Sequence, residues 1–213
     1  LIEVLEKAPD QRRVDGIWHQ VATTGRLKDE LRRGALTKPT TAALINRLGA
    51  RAVDPLLDLL ATAGDRATRA ATLRLLEGVG TAASERPIAL MPGAPWYLQR
   101  NLFVLLGRVG SWPDALPTPP YLSHADARVR REAIKLLLES PGRREAGLVV
   151  GVMDADTAIR GLALSAALEG CPPEVLPMVQ QLTLDPQCPA EMRAMAIKVL
   201  ARSGDSGVVE VLV

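Results

Sequence analysis

The sequence predicts an all-α fold in which helical hairpins of about thirty residues stack on one another. An amphipathic segment recurs at that period, and a second apolar segment precedes each copy. Of the 213 residues, 47% are hydrophobic, yet the aromatic ones are only three Trp, two Tyr and one Phe. Because large rings are scarce, Leu, Val, Ile and Ala must fill the core, which favours thin layers of closely packed helices.

The recurring amphipathic segment has an anchor residue with small or apolar residues at fixed offsets around it. They stand one position before the anchor and three, four and seven positions after it, which is one face of an α-helix. A small residue at the third position, as in most copies, lets neighbouring helices approach closely. The copies are 65–80, 95–110, 126–140, 156–170 and 190–204, with anchors Arg69, Gln99, Arg130, Arg160 and Arg193.

Each anchor segment follows an apolar segment that we interpret as the first helix of its hairpin. Asp, Pro or Gly stands at the junctions, where one helix ends and the next is capped. Since one hairpin cannot bury both of its faces, successive hairpins are expected to share a continuous core. The first-helix segments are 52–63, 84–92, 113–123, 144–154 and 173–185.

The N-terminal residues are less regular than the repeats. Segments 26–36 and 39–49 are expected to pair as helices. Residues 1–24 are expected to add one or two helices that cap the stack, with Ile17 and Trp18 facing inward. The chain opens without Met, so we expect a piece of a longer protein.

Two stretches carry a more specific pattern, in which an apolar helix, a short Asp-containing turn and V/I-R-x-x-A-I/L-x-x-L follow one another. They are GLVVGVMDADTAIRGLALSAAL (147–168) and PPYLSHADARVRREAIKLLL (119–138). In this pattern, which extends over roughly 50–204, the chain resembles the HEAT-repeat family. The resemblance implies a ladder between repeats, made by a turn Asp and an Arg six residues later, and Asp154 and Arg160 match that spacing.

The same resemblance implies the domain organisation. A HEAT-like chain forms a right-handed α-α superhelix, or solenoid, which here would be a single domain over 1–213. Irregular helices would occupy 1–50, five HEAT-like repeats 51–204, and the start of a further repeat 205–213. Such proteins are mostly non-enzymatic scaffolds, so the resemblance implies binding to another protein or to another domain of the same chain.

Charge and cysteine content narrow the setting. The net charge of +2 is too small to attract nucleic acid or a membrane by bulk electrostatics. Cys171 and Cys188 form no CxxC pair and have no nearby His, which favours a reducing compartment, and we predict the cytoplasm. No signal segment and no apolar run of membrane-spanning length is present, so no membrane partner is expected.

The residues offer no catalytic constellation, and we predict that the chain is not an enzyme. His19 and His124 lie in no metal-binding motif, and His124 in its turn is better placed to cap a helix than to act as a base. No phosphate-binding loop is present, so we expect no cofactor and no metal site. The repeated Arg anchors are explained most simply by hydrogen bonds to turn carbonyls or nearby acids.

The first candidate site is a set of aromatic and basic residues around two proline-interrupted hairpins, between 85 and 121. Proline is expected to shorten or break the first helix of each hairpin. Exposed Trp, Tyr and Arg are common binding hot spots, but the rings could equally fill the space that the broken helices leave. The candidate partner-binding residues are Trp96, Tyr97, Arg100, Arg108, Trp112 and Tyr121.

The second candidate site is a basic strip, which would make the chain a nucleic-acid-binding solenoid instead. The position five residues after the anchor lies off the apolar face and is often basic. Acidic neighbours such as Glu77 and Glu139 would cancel much of its field, so protein binding is the leading hypothesis. The strip residues are Arg74, Lys135 and Lys198 at this position, along with Arg131.

Overall fold

The computed structural model describes residues 2–6, 11–110 and 112–204, and in these ranges the secondary structure is helical throughout, without strands. The predicted all-α class is therefore confirmed. Contacts divide the chain into two compact units, residues 1–110 (the N-terminal unit) and 111–213 (the C-terminal unit). A single domain in a right-handed superhelix stays a prediction, and the further repeat expected at 205–213 lies outside the described residues.

The N-terminal unit is built from paired helices. α3 pairs with α4, α5 with α6 and α7 with α8, and along the chain first helices contact first helices while second helices contact second helices. Hairpins therefore stack within this unit. Its helices are α1 (Ile2–Glu6), α2 (Gln11–Val21), α3 (Thr24–Arg32), α4 (Pro39–Leu48), α5 (Val53–Thr62), α6 (Arg66–Val79), α7 (Ala82–Leu90) and α8 (Trp96–Val109), with 3-10 turns at Gly49–Ala52 and Met91–Gly93.

The C-terminal unit repeats this arrangement. α9 pairs with α10, α11 with α12 and α13 with α14, and the second helices α10, α12 and α14 contact one another in that order. Its helices are α9 (Pro119–Leu122), α10 (Ala127–Glu139), α11 (Arg144–Val152), α12 (Thr157–Ala167), α13 (Leu176–Leu184) and α14 (Ala190–Ser203). The predicted hairpins thus form, although α9 has only four residues.

Aspartate side chains fix where several second helices begin. The carboxylates of Asp65, Asp126 and Asp156 accept hydrogen bonds from backbone N–H groups in the first turns of α6, α10 and α12, at 2.8 to 2.9 Å. Each bond satisfies a donor that has no partner within the helix. These caps explain why the sequence located the starts of these helices to within a residue or two.

The predicted apolar stripe is buried. In α10 and α12 it faces the shared core with the residues Val129, Ala133, Ile134, Leu137, Ile159, Ala163, Leu164 and Ala167. The small third-position residues Thr72, Ala133, Ala163 and Ala196 are also fully buried. In α2, Trp18 is buried as predicted, but the prediction that Ile17 faces inward was wrong. Successive helical residues point about 100° apart, so the helix buries one of these neighbours and exposes the other.

Three of the Arg anchors hold the turn that precedes their helix. The guanidinium of Arg69 donates to the carbonyl oxygen of Ala63 at 3.0 Å, and Arg130 donates to that of His124 at 2.8 Å. Arg160 donates in the same way to the carbonyl oxygen of Asp154, at 3.1 Å. Each acceptor stands six residues before its Arg. The predicted structural role of these three anchors is confirmed.

Arg130 also joins two successive hairpins. Its Nε and Nη2 donate to the two carboxylate oxygens of Asp154, each at 2.8 Å, in a bidentate ion pair. The side chains are only 15% and 4% exposed. The expected ladder thus has one such rung, with Asp154 bound by the Arg of the preceding hairpin. The ladder does not continue at Arg160, because the Nε of this residue is buried without a hydrogen-bond partner among the described residues.

Burial and hydrogen bonding act in opposite directions on the Asp154 carboxyl. Burial raises its pKa, but the hydrogen bonds from Arg130 and from the Asp156 N–H, with the charges of Arg130 and Arg160, hold the pKa below its ordinary value. The carboxylate is therefore ionised in the folded protein at neutral pH.

Proline affects the two interrupted hairpins differently. α7 continues through Pro87, which is buried inside the helix, so the prediction that proline breaks this helix was wrong. Pro87 lies in the interior of α7, where its missing N–H removes the bond to the Ala83 carbonyl, and the helix continues to Leu90. The second hairpin is truncated as predicted, because only Pro119–Leu122 remains helical in its first segment.

Glycine lets α11 approach its neighbours closely. A Cβ added to Gly151 would lie 2.8 Å from the Cβ of Ala163 in α12 and 3.1 Å from the Ile134 Cγ2 in α10. No real pair of carbon atoms tolerates the shorter distance, so the helices would have to separate. Gly161 in α12 is different, since an added Cβ would meet only the flexible Met192 side chain, at 3.6 Å.

The first prediction follows from this contrast. Gly151→Ala should lower the free energy of unfolding by about 1 to 3 kcal/mol through overpacking. Gly161→Ala should leave stability unchanged or raise it by up to about 1 kcal/mol, because Ala is the better helix former. Urea denaturation followed by circular dichroism measures both. Equal effects of the two substitutions would contradict the close approach of α11 and α12.

The second prediction concerns Asp154. Asp154→Asn should destabilise the protein at neutral pH by about 2 kcal/mol or more, because it leaves the half-buried Arg130 guanidinium unpaired. The matched control is Asp114→Asn, which removes the carboxylate partner of Arg143 in the same unit. Unlike Asp154, the Asp114 side chain is fully exposed. The effect of Asp114→Asn should stay below about 1 kcal/mol.

The pH dependence provides the sharper test of this pair. The folded pKa of Asp154 is depressed, so its contribution is present above the unfolded value near 3.9 and is lost as pH falls through the folded pKa. Urea midpoints of wild type and Asp154→Asn, measured from neutral to acidic pH, should therefore converge below about pH 4. A difference that does not depend on pH would contradict the role of the charge.

Candidate protein-binding surface

The candidate surface begins on α8, the second helix of the last hairpin in the N-terminal unit. One face of α8 is core, where Leu102, Phe103 and Leu106 are fully buried. The residue at the anchor position, Gln99, donates from Nε2 to the carbonyl oxygen of Met91 at 3.0 Å. The helix is thus fixed by its apolar face and by Gln99, and its opposite face is turned to solvent.

Trp96 and Tyr97 are the first two residues of α8, and both are exposed. Their relative accessibilities are 38% and 44%. The rings meet edge to face, with centroids 5.8 Å apart and an interplanar angle of 86°. This contact holds each ring against the other, so that a partner meets a partly ordered aromatic pair at low entropic cost.

The other repeats show that these two positions do not need rings. In the five helices that carry an anchor, the side chains at the positions three and two residues before it are exposed or half-exposed. Only α8 carries aromatic residues there; the other pairs are Arg66 and Ala67, Ala127 and Arg128, Thr157 and Ala158, and Ala190 and Glu191. Since the hairpin forms without rings at this register, packing alone does not account for Trp96 and Tyr97.

A groove is lined in part by α8, the helix that carries this pair. It has a volume of about 400 Å³, and Leu98 of α8 contributes to its lining together with Leu57, Ala61 and Leu90. Two ion pairs flank the apolar lining: Lys28 lies 3.1 Å from Asp58, and Arg86 lies 2.8 Å from Asp54. The groove therefore offers an apolar floor between polar groups of both signs.

The two predicted Arg residues of α8 occupy different settings. Arg108 is exposed and forms a 3.3 Å ion pair with Glu77 of α6, which offsets its charge. Arg100 is half-buried, and its Nη1 lies 3.4 Å from the Oδ1 of Asn101. With Tyr97, they lie along one side of α8, because their spacing is close to whole helical turns.

Trp112 and Tyr121 do not belong to an exposed surface, which corrects their inclusion in the candidate site. Their relative accessibilities are 3% and 4%. The indole N–H of Trp112 donates to the Leu116 carbonyl at 2.8 Å, and its backbone N–H donates to Ser140 Oγ at 2.8 Å. The centroids of the two rings lie 6.4 Å apart within the C-terminal unit. They fill the place of the truncated first helix, which was the alternative that the sequence left open.

The basic-strip residues are exposed, as predicted from their position off the apolar face. Arg74 belongs to the N-terminal unit, whereas Arg131, Lys135 and Lys198 belong to the C-terminal unit. In the latter, Lys135 lies 3.9 Å from Glu139 in the same helix, so its charge is partly offset. These three cations lie on α10 and α14, the helices on either side of α12.

The histidine and cysteine residues occupy ordinary structural settings. The Nδ1 of His124 accepts a 2.9 Å hydrogen bond from the Asp126 N–H, and the Asp126 carboxylate caps α10. The hydrogen bond from the Arg128 side chain lowers the pKa of Asp126 to about 2. Burial raises the pKa of the Cys171 thiol. Within the described ranges, no three His, Cys, Asp or Glu side chains are grouped to hold a metal ion.

Comparisons with known proteins leave the chain without an assigned family. No family model, curated protein or solved structure matches it. Among the helices that the structure describes, none combines the length and the hydrophobicity needed to cross a membrane.

Sequence reasoning found the exposed rings of α8 but missed the groove that Leu98 lines. The lining runs from Lys28 to Leu98 and takes residues from four helices, so no local motif marks it. The regular spacing of first helices was the one available signal, since residues on equivalent faces of α3, α5 and α7 line the same side of a stack.

Proposed function

We propose that this chain is a protein-interaction module of the HEAT-repeat type, which binds a partner protein or another domain of its own chain without catalysing a reaction. The observation that carries the proposal is the exposed pair of Trp96 and Tyr97 at a register where the other second helices carry no ring. Stacked hairpins in each unit support the HEAT-like assignment. The free thiols of Cys171 and Cys188 support a reducing compartment such as the cytoplasm.

The proposed partner surface comprises Trp96, Tyr97, Arg100 and Arg108, and the groove that Leu98 of the same helix lines is a second contact region. The aromatic pair supplies apolar area, and the groove accepts an apolar side chain next to Leu98. The ion pairs at its edge can exchange partners with a bound segment that carries both signs of charge. A mixed-charge segment with an apolar anchor is therefore the chemistry that fits.

The third prediction tests this surface. Trp96→Ala combined with Tyr97→Ala should weaken partner binding about tenfold or more, because aromatic hot spots typically contribute 2 kcal/mol or more. Proteins that the immobilised wild-type chain captures are identified first, and the dissociation constant of each purified candidate is then measured by calorimetry. The matched control is Leu184→Ala, which removes a large exposed side chain from the C-terminal unit.

The outcomes separate surface from core. The proposal is supported if the double variant keeps its helical circular dichroism but binds more weakly, while Leu184→Ala binds as the wild type does. Loss of folding in the double variant, or equal binding by all three proteins, contradicts it.

A second candidate function is nucleic-acid binding through the C-terminal unit, favoured by the exposure of Arg131, Lys135 and Lys198. The fourth prediction is that any such binding falls steeply as salt rises, because cations that contact phosphates release counterions. Replacing these three residues by Gln should reduce both the affinity for duplex DNA and the salt slope. Absence of binding at low salt, measured by fluorescence anisotropy, eliminates this candidate.

A further inference from the structure

A second concave site lies at the other end of the N-terminal unit, apart from the residues of the protein-binding surface. It is a pocket of about 340 Å³ between α2 and the end of α4. The volume is in the range of small-molecule sites. Its lining residues are Asp15, Trp18, His19, Ala22, Arg47 and Arg51.

Arg47 is held in place by two contacts at this pocket. Its Nη1 donates to the Oδ1 of Asp15 at 3.0 Å, and its guanidinium carbon lies 5.0 Å from the centroid of the Trp18 ring. Trp18 is buried, so the ring is a fixed platform for the cation. Arg47 therefore presents its charge in a defined position without needing a ligand to order it.

Arg51 supplies a second guanidinium one helical turn further along the chain, in the 3-10 turn Gly49–Ala52. It is exposed, and among the described residues nothing forms a hydrogen bond or an ion pair with it. His19 also lines the pocket, and its Nδ1 lies 3.4 Å from the Asp15 carbonyl oxygen. Among the lining residues that the structure describes, Asp15 carries the negative charge.

We propose that this pocket binds an oxyanion, the phosphate or carboxylate group of a small molecule. Two guanidinium groups at one concave site match the paired oxygens of either group, and Arg binds both by bidentate hydrogen bonds. The Asp15 carboxylate occupies part of Arg47 and competes with the ligand. A bound anion would therefore accept hydrogen bonds from Arg51 first and share the Arg47 guanidinium with Asp15.

Inorganic phosphate and acetate are the probes, and nuclear magnetic resonance is the measurement. The indole N–H resonance of Trp18 and the side-chain N–H resonances of Arg47 and Arg51 are followed while each anion replaces chloride at constant ionic strength. The indoles of Trp96 and Trp112 are internal controls, since neither residue lines the pocket. Of the three indole resonances, only that of Trp18 is expected to shift saturably. The anion that saturates this shift at the lower concentration identifies the ligand class.

Two substitutions with opposite expected effects make the test specific. Arg51→Gln should weaken anion binding about tenfold by removing a charged donor. Asp15→Asn should tighten it several-fold, because the competing negative charge is lost while the shape is kept. The matched controls are Arg86→Gln and Asp54→Asn, which alter an exposed ion pair elsewhere in the same unit and should change nothing.

Three outcomes would overturn the proposal. These are no saturable shift with either anion, a shift of all three indoles together, or weaker binding in Asp15→Asn. The last would mean that the Asp15–Arg47 pair is needed for the shape of the pocket and that its carboxylate does not compete. None of these results bears on partner binding by α8, because the two sites share no residue.

Discussion

The close approach of successive helices is the constraint on which the rest of this structure depends. α11 fits between α10 and α12 only because Gly151 has no Cβ where the Ala163 methyl group lies. In four of the five copies the third position after the anchor carries a small residue for the same reason, and that residue is completely buried. Such thin layers leave little room for large rings. The scarcity of aromatic residues is therefore a consequence of the spacing between helices.

The turns between helices add a second constraint, which is polar. A short first helix leaves carbonyl groups at its C-terminal end without partners inside the helix. Arg69, Arg130 and Arg160 reach back six residues and satisfy one of these groups each. Arg130 also binds Asp154 of the next hairpin, so one side chain fixes both the turn and the register between hairpins. The bidentate geometry explains why the anchor is Arg and not Lys.

The sequence was sufficient for the helices because their signals are local. Asp65, Asp126 and Asp156 mark the starts of helices, and the apolar stripe marks the buried face. It was insufficient for Pro87, which was predicted to shorten or break the first helix and which α7 contains in its interior. The sequence also did not show which Arg binds the Asp154 carboxylate, since Arg160 and Arg130 have equivalent places in the repeat.

The two candidate pockets were beyond sequence analysis for a related reason. Each gathers residues from helices that are distant along the chain, such as Asp15 with Arg47, or Lys28 with Leu98. A periodic sequence predicts which faces are buried, but concave places arise where successive layers do not match. Such mismatches depend on the exact lengths of helices and turns, which the repeat pattern does not determine.

The opposite fates of the two aromatic pairs follow from the same mismatch. In the C-terminal unit, truncation of α9 leaves space beside α10, and Trp112 and Tyr121 fill it. In the N-terminal unit, α7 remains a full helix against α8, so no comparable space opens and Trp96 and Tyr97 stay outside. Rings left in water gain nothing from the hydrophobic effect on folding. Trp96 and Tyr97 can instead be buried against a partner. Because the first helix is intact, α8 keeps an exposed aromatic surface that suits binding.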